Sequence, residues 1–212
     1  MESFKKTRNR LLAPKIIKGL ESRNMKGYYA ETKEEALQLA LGLIPKKSSI
    51  SWGGSMSIRE IGLMDAVLNG DFTIFNRDTC TTPEERRQVE LQAFGADYFL
   101  CSSNAITEDG ILVNIDGNAN RVAAIAYGPL HILMIVGMNK VAKDEAQAMY
   151  RARNVAAPIN TQRFPITTPC TQNGSCADCK SRDTICCQFL TTRYSRHADR
   201  IHVILVNEDL GF

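Results

Sequence analysis

Apolar positions along the chain switch repeatedly between two periods. From Phe4 to Arg23, Leu12, Ile16, Ile17 and Leu20 recur at helical spacing, with Pro14 marking a kink or a late start. Gly27–Ala30 reads as a short strand. Thr32 and Glu35 form a capping box ahead of Ala36, Leu37, Leu39, Ala40 and Leu43, which give the next helix one apolar face. Ser48–Trp52 is a buried-strand pattern, followed by Gly53-Gly54-Ser55-Met56-Ser57 and a helix through Ile58, Ile61, Leu63, Met64 and Leu68. Phe72–Phe75 is a further strand. A helix then runs from Pro83 to about Phe94, with Pro83, Glu84 and Glu85 suited to its first turn.

Asp97–Cys101 is again strand-like. Asp109-Gly110 then sits between two short β-prone runs and predicts a hairpin that interrupts the alternation. A small helix from Arg121 to about Tyr127, a strand at His131–Val136, a helix from Lys143 to Asn154 and a last strand at Ile201–Val206 complete the pattern. Repeated β-α units predict an α/β fold, with a mostly parallel sheet between helices on both faces and made mixed by the hairpin. The 212 residues suffice for one substantial core, so one domain over 1–212 is expected.

Composition narrows the function classes. A net charge of +3 is too mild to imply a polyanionic partner, and the run Arg193, Arg196 and Arg200 reads as a solvated face, so no nucleic acid is expected. Pro14 and Lys15 break what would be the centre of a signal peptide begun at Met1–Lys6. The apolar region Val122–Met138 is interrupted at Tyr127-Gly128-Pro129 and His131. A cytoplasmic protein with no membrane span is expected, and its thiols stay reduced.

Against that background the cysteines stand out. Five of the seven fall between Cys170 and Cys187 with the spacing C-x5-C-x2-C-x6-C-C, inside a cysteine-rich segment, 168–187, placed before the last strand. Gly174, Asp178, Lys180, Ser181 and Asp183 are turn formers, which suits a ligand-presenting loop better than a helix or strand. Four thiolates that close in sequence can meet around a 4Fe–4S cluster or a tetrahedral zinc ion. Cys186 and Cys187 compete for the last position. Reduced, non-ligating thiols are the plainer reading. Cys80 and Cys101 read as small buried hydrophobes, and His131 and His202 as core residues on strands.

Two further places carry candidate chemistry. In the strand–Gly53-Gly54-Ser55-Met56-Ser57–helix junction, glycines let a backbone approach a ligand, free N–H groups favour an anion, and Ser55 and Ser57 add hydroxyls. The run lacks the Lys-Ser/Thr ending of a P-loop and the third glycine of a dinucleotide fingerprint. The second place is the polar run Asn114, Asp116, Asn118, Asn120 and Arg121 with Asn104 upstream, where an arginine could clamp a carboxylate or phosphate. Asx residues and glycine also build turns unaided, which is the structural reading of the same run. Lys140, just beyond the His131–Val136 strand, could reach the same site.

Several of these segments together resemble the LUD-domain family of lactate-utilisation proteins. They are Ser51–Ser57 with Glu60-Ile61-Gly62-Leu63, the hairpin Ser103–Gly110, and Gly137-Met138-Asn139-Lys140-Val141. The tail that runs from Ala156 through Arg163, Thr168-Pro169-Cys170, Gly174, Cys176, Asp178-Cys179 and Cys186 joins them. The resemblance spans almost the whole chain in order. It implies a three-layer fold of the NagB/RpiA/CoA-transferase-like kind. Relatives in that superfold hold sugar phosphates, CoA thioesters or folates near the glycine loop. The resemblance also implies a place beside iron–sulfur partner proteins in a system that oxidises L-lactate. A small anionic metabolite is then the expected ligand, near Gly53, Gly54, Ser55, Ser57, Asn104, Asn118, Arg121 and Lys140. Cys170, Cys176, Cys179 and Cys186 are the expected metal ligands, and self-association stays open. No acid–base pair in the sequence would let the chain oxidise a hydroxy acid unaided, because a hydride needs an acceptor. The alternative is a CoA-transferase or sugar-phosphate-isomerase type of enzyme or binding protein, whose cysteine loop is only structural.

Overall fold

A computed structural model describes residues 3–212; Met1 and Glu2, the start of the stretch weighed above as a signal peptide, lie outside it. The strands are β1 (Lys26–Ala30), β2 (Ser49–Trp52), β3 (Thr73–Ile74), β4 (Tyr98–Cys101), β5 (Ala105–Thr107), β6 (Leu112–Asp116), β7 (His131–Gly137), β8 (Val141–Ala142), β9 (Gln188–Thr192) and β10 (Ile201–Val206). The first helices are α1 (Phe4–Ser22), α2 (Lys33–Leu43), α3 (Met56–Glu60), α4 (Leu63–Leu68) and α5 (Pro83–Gln92). The remainder are α6 (Asn120–Ala126), α7 (Glu145–Arg151), α8 (Ala157–Thr161) and α9 (Pro169–Asn173).

Six strands form one sheet in the order β1-β10-β7-β4-β2-β3, every pairing parallel. Alternation along the central strands decides which face each side chain serves. Leu133 and Ile135 of β7 join Ile204 and Val206 of β10 under α2, α3 and α4. Ile132, Met134 and Val136, with Val203 and Leu205, pack under α1 and α6 instead. Burial on both faces explains why these strands read as continuous apolar runs. The result is the expected three-layer α/β/α arrangement.

The hairpin departs from expectation. It does not extend the main sheet but founds a second one, ordered β8-β5-β6-β9, with β5–β6 and β6–β9 antiparallel and β5–β8 parallel. Ile106 and Leu112 pack toward the α1 side of the main sheet, while Ala105, Val113 and Ile115 face Ala148 and Ala152 behind. With both faces covered, this small sheet forms a separate layer. Its edge strand β9 follows the cysteines directly, so the cysteine segment leads into β9 and only then to β10.

Local chemistry accounts for most boundaries. Thr32 and Thr82 accept the Glu35 and Glu85 backbone N–H groups and so start α2 and α5. The helix expected through Leu68 breaks at Gly62, which adopts φ +76°, a conformation costly for a side-chain-bearing residue. α1 continues through Pro14. Residues Ala152–Ala156 form a π-helical turn between α7 and α8.

Candidate functional site: two cavities with a common wall

The carboxyl ends of β2, β4 and β7 open onto a cavity of about 600 Å³. Ligands in α/β sheets collect at such strand ends, because loops there are free of the sheet's hydrogen-bond pattern. β2 delivers Gly54 and Ser55, β4 delivers Ser102, Ser103 and Asn104, and the turn after β7 delivers Lys140. The second sheet supplies Asp116 to Asn118, and α6 supplies Arg121.

Six of the expected ligand residues therefore meet: Gly54, Ser55, Asn104, Asn118, Arg121 and Lys140. Gly53 and Ser57 stand behind the wall. Gly53 continues the sheet, its N–H donating to Leu100 O at 3.0 Å. A Cβ there would lie 2.8 Å from Arg121 Cδ, so the glycine is needed for close approach. Ser57 is fully buried and accepts from Lys140.

The residues differ in what remains free. Arg121 donates to Asn114 Oδ1 at 2.6 Å, Ile115 O at 2.6 Å, Asn104 Oδ1 at 3.1 Å and Ser102 O at 3.2 Å. Its guanidinium thus ties the main sheet to the second one. The Asp116 carboxylate accepts the N–H groups of Arg121 and Val122, both at 3.1 Å, and starts α6 from outside. The Asx-rich run is therefore largely internal scaffolding. α3 spans only Met56–Glu60, and the Ser55 hydroxyl accepts the Ile58 N–H. The glycine loop itself offers little surplus attraction to an anion.

That attraction comes from arginines that the sequence pattern did not mark. Besides Arg121 and Lys140, the cavity is lined by Arg59, Arg77, Arg86, Arg163 and Arg182, against the carboxylates Asp78, Asp116 and Asp183. Arg59 is paired with Asp78, and Arg86 with Glu90. Arg77 is mostly buried, its Nη1 is 3.5 Å from Glu90 Oε1, and its Nε lies 3.8 Å from Asp78 Oδ1 with no hydrogen-bond partner among the described residues. Burial and the neighbouring Arg86 hold its pKa below the usual guanidinium value. Asn114 Nδ2 is likewise buried without a partner. Arg182 is exposed, and no hydrogen bond or ion pair engages its side chain among the described residues. Of these, Arg163 and Arg182 belong to segments singled out in sequence, though not for their charge; the others are surface-type residues that chain topology brings to one opening.

Lys140 forms the cavity floor with a side chain only 4 % exposed. Its Nζ donates to Ser57 Oγ and Ser102 Oγ, each at 2.9 Å. Burial, then the charges of Arg151 and Arg121, push its pKa down to about 7.

A second, smaller cavity of about 80 Å³ is lined by Cys170, Cys176, Cys179 and Cys186. Cys187 is exposed and off the lining, so of the two competing thiols it is Cys186 that faces the other three. Cys170 lies in α9 and the other three in irregular chain, so the segment is a loop with one short helix. Burial and the nearby Cys176, Cys170 and Cys179 push the Cys186 thiol up to about 11, while hydrogen bonding from Ser181 lowers that of Cys179. Among the described residues, no group of three or more His, Cys, Asp or Glu side chains already stands at metal-holding distances. Ligation would require the four thiols to draw inward. Their donor chemistry suits a thiophilic centre, and among the described residues the one carboxylate on the cavity's lining is the exposed Asp178, paired with Arg153. Cys101 is buried as expected, whereas Cys80 is only half-buried. His131 and His202 are half-buried at the amino ends of their strands, each held by Asp199 O, rather than in the core.

The two cavities share Ala157, Thr184 and Ile185. The stretch Arg182–Cys186 thus lines one cavity and then the other. Its exit is fixed to the second sheet through Cys187 N–H donating to Asp116 O at 3.0 Å and the β6–β9 ladder.

The fold and this opening define a class: a three-layer α/β protein with a cation-rich cavity at its strand ends and a cysteine-bearing tail. The chain belongs to the LUD-domain family, which matches it over residues 13–206. A crystal structure of a DUF162 family protein from Deinococcus radiodurans superposes with a TM-score of 0.53, covering 94 % of this chain and 98 % of that one. At 11 % identity, this likeness concerns the fold alone. No curated protein matches the chain at a significant level. Among the described residues, no helix is long and apolar enough to cross a membrane.

Proposed function

We propose that this LUD-domain protein serves lactate or other organic-acid utilisation. It binds a small anionic metabolite in the arginine-lined cavity and carries an iron–sulfur cluster on Cys170, Cys176, Cys179 and Cys186, with zinc as the alternative occupant. One observation carries the anion reading. Six arginines and Lys140 line the opening with three carboxylates, and the buried Arg77 Nε has no hydrogen-bond acceptor among the described residues. A buried donor without a partner costs on the order of 1–3 kcal/mol, which a bound anion would offset. When bound, a four-iron cluster supplies one-electron transfer beside the shared wall. Electrons removed from a hydroxy acid need such an outlet, so iron–sulfur partner proteins belong to this reading.

The cavity volume also favours a second reading, of the CoA-transferase or sugar-phosphate-isomerase type. About 600 Å³ matches the size of ordinary cofactor sites and exceeds what a lactate ion fills. Thermal stabilisation across L-lactate, pyruvate, inorganic phosphate, sugar phosphates and CoA tests both readings. Wild-type protein should be stabilised by at least one of these anions. A Cβ at Gly54 would lie 3.2 Å from Arg77 Nη2, so Gly54→Asp supplies Arg77 with a competing carboxylate. It should weaken binding about tenfold to a hundredfold, or roughly 1.4–2.8 kcal/mol. No stabilisation by any anion, or equal stabilisation of the Gly54→Asp protein, defeats the proposal.

A further inference from the structure

We infer that Lys140 is a covalent site, whose amine condenses at the cavity floor with the carbonyl of a small 2-oxo acid to form an imine. This rests on reading the cavity as an anion site and adds the substrate class.

Lysines are seldom fully buried without a carboxylate, since a buried ammonium must be paired to offset its lost hydration. Lys140 breaks that pattern: among the described residues its Nζ makes no ion pair. Its two partners are hydroxyls, Ser57 Oγ from the first turn of α3 and Ser102 Oγ from the end of β4. The charged groups around it are mainly cationic, Arg151 and Arg121, with Glu60 opposing them less strongly. A neutral amine suits these surroundings better than an ammonium. Hydroxyls can accept from the charged form and donate to the neutral one, so both protonation states keep their partners.

A buried amine beside other cations is also the arrangement that activates lysine as a nucleophile toward carbonyls. The burial-driven fall of its pKa to about 7 leaves a large share of neutral amine near neutrality. Lys140 lines the cavity, and so do Ser102, which accepts from its amine, and Gly211, where a Cβ would lie 3.3 Å from Nζ. What enters must satisfy two groups at once: a carbonyl for the amine and negative charge for the arginines. A 2-oxo acid carries both on adjacent carbons. The balance closes without an oxidant or reductant. Nitrogen adds to the carbonyl carbon, the carbonyl oxygen gathers the two amine protons and leaves as water, and a C=N bond remains. Ser57 and Ser102 are placed to relay those protons.

The test is reductive trapping on the full chain. Pyruvate, the simplest 2-oxo acid, is added with sodium cyanoborohydride, which delivers hydride to an imine carbon and fixes the adduct as a secondary amine. Peptide mapping should place the adduct on Lys140 in preference to exposed lysines such as Lys46 and Lys47. Ser102→Ala, checked for folding by circular dichroism, should slow trapping several-fold, and Lys140→Arg should abolish it at this position. Adduct spread evenly over exposed lysines with Lys140 unmodified overturns the inference. Oxalate, a dianion without a reactive carbonyl, separates the two layers of argument. If oxalate and pyruvate stabilise the protein while Lys140 stays unlabelled, the imine fails and the anion site stands. If neither binds, the anion site fails as well.

Discussion

The two cavities share a wall, yet they are made in opposite ways. The larger one is assembled from the ends of β2, β4 and β7, so its floor inherits the rigidity of a sheet buried on both faces. Ser57 and Ser102 lie 83 and 38 positions before Lys140 along the chain, and the parallel register brings both within hydrogen-bonding distance of it. The smaller cavity draws its four cysteines from one short stretch with one brief helix. Its ligand set is local, and its geometry depends on turns rather than on a sheet. A site built on strand ends is held in place before any ligand arrives, whereas one built on a loop takes its final form with its occupant.

That contrast is broken most easily by stability. Leu133 is fully buried on β7, so Leu133→Ala should destabilise the protein by about 2–5 kcal/mol in urea unfolding. Cys179→Ser in metal-free protein should cost no more than about 0.5 kcal/mol, as for a substitution outside the core. The same Cys179→Ser should abolish stoichiometric iron after anaerobic purification, while Cys187→Ser should retain it. Equal destabilisation by Leu133→Ala and Cys179→Ser would show that the cysteine segment is part of the folding core. Iron retained by Cys179→Ser, or zinc alone in the wild type, would remove the cluster.

The same contrast explains what could be read in the sequence. The β-α alternation was legible because both faces of the sheet are covered, which leaves runs such as Ile132–Val136 almost purely apolar. The cysteine cluster was legible because its members are neighbours in sequence. Arg59, Arg77 and Arg86 carried no such mark, and Arg182 was marked only as a neighbour of the cysteines. Each lies near a different element, and an arginine at the surface looks the same whether it faces open water or a shared opening. Arg121 shows the opposite effect. Its polar neighbourhood suggested a clamp for ligand, while its guanidinium is engaged with four protein oxygens. The second sheet was hidden for another reason. Gln188–Thr192 has no strong alternation, and its strand state is set by its partner β6.

A smaller effect should appear in the pH dependence of stability. The unfolded chain holds a proton on Lys140 up to the ordinary lysine value of 10.5, whereas the folded protein releases it above about 7. Between those values the unfolded state binds more protons, so stability rises with pH, by at most about 1.4 kcal/mol per pH unit for one proton. The contribution is lost again as pH falls through the folded value. Urea midpoints compared at pH 7.5 and 8.5 should rise in wild type relative to Lys140→Met. Parallel pH profiles for the two proteins would mean that the lysine stays charged in the fold, which would also remove the chemical basis for an imine.

The smallest effect concerns the wall itself. Thr184 and Ile185 line both cavities, Arg182 and Asp183 precede them at the anion side, and Cys186 follows at the thiol side. The backbone of Ile185 also packs against Gly117, where a Cβ would lie 3.2 Å from Ile185 Cα. Drawing the four thiols inward around an ion is therefore expected to shift the stretch that carries Arg182, a guanidinium with no partner among the described residues. Occupancy of one cavity should alter affinity in the other, and the coupling must be reciprocal. Calorimetric titration of inorganic phosphate into zinc-loaded and metal-free protein should differ about fivefold in affinity, or roughly 1 kcal/mol. Arg182→Ala should bring the two values together, whereas Cys187→Ser should leave the difference intact. Identical phosphate affinities with and without metal would show that the common wall insulates the two cavities, leaving the cysteine segment as a structural staple beside an independent anion site.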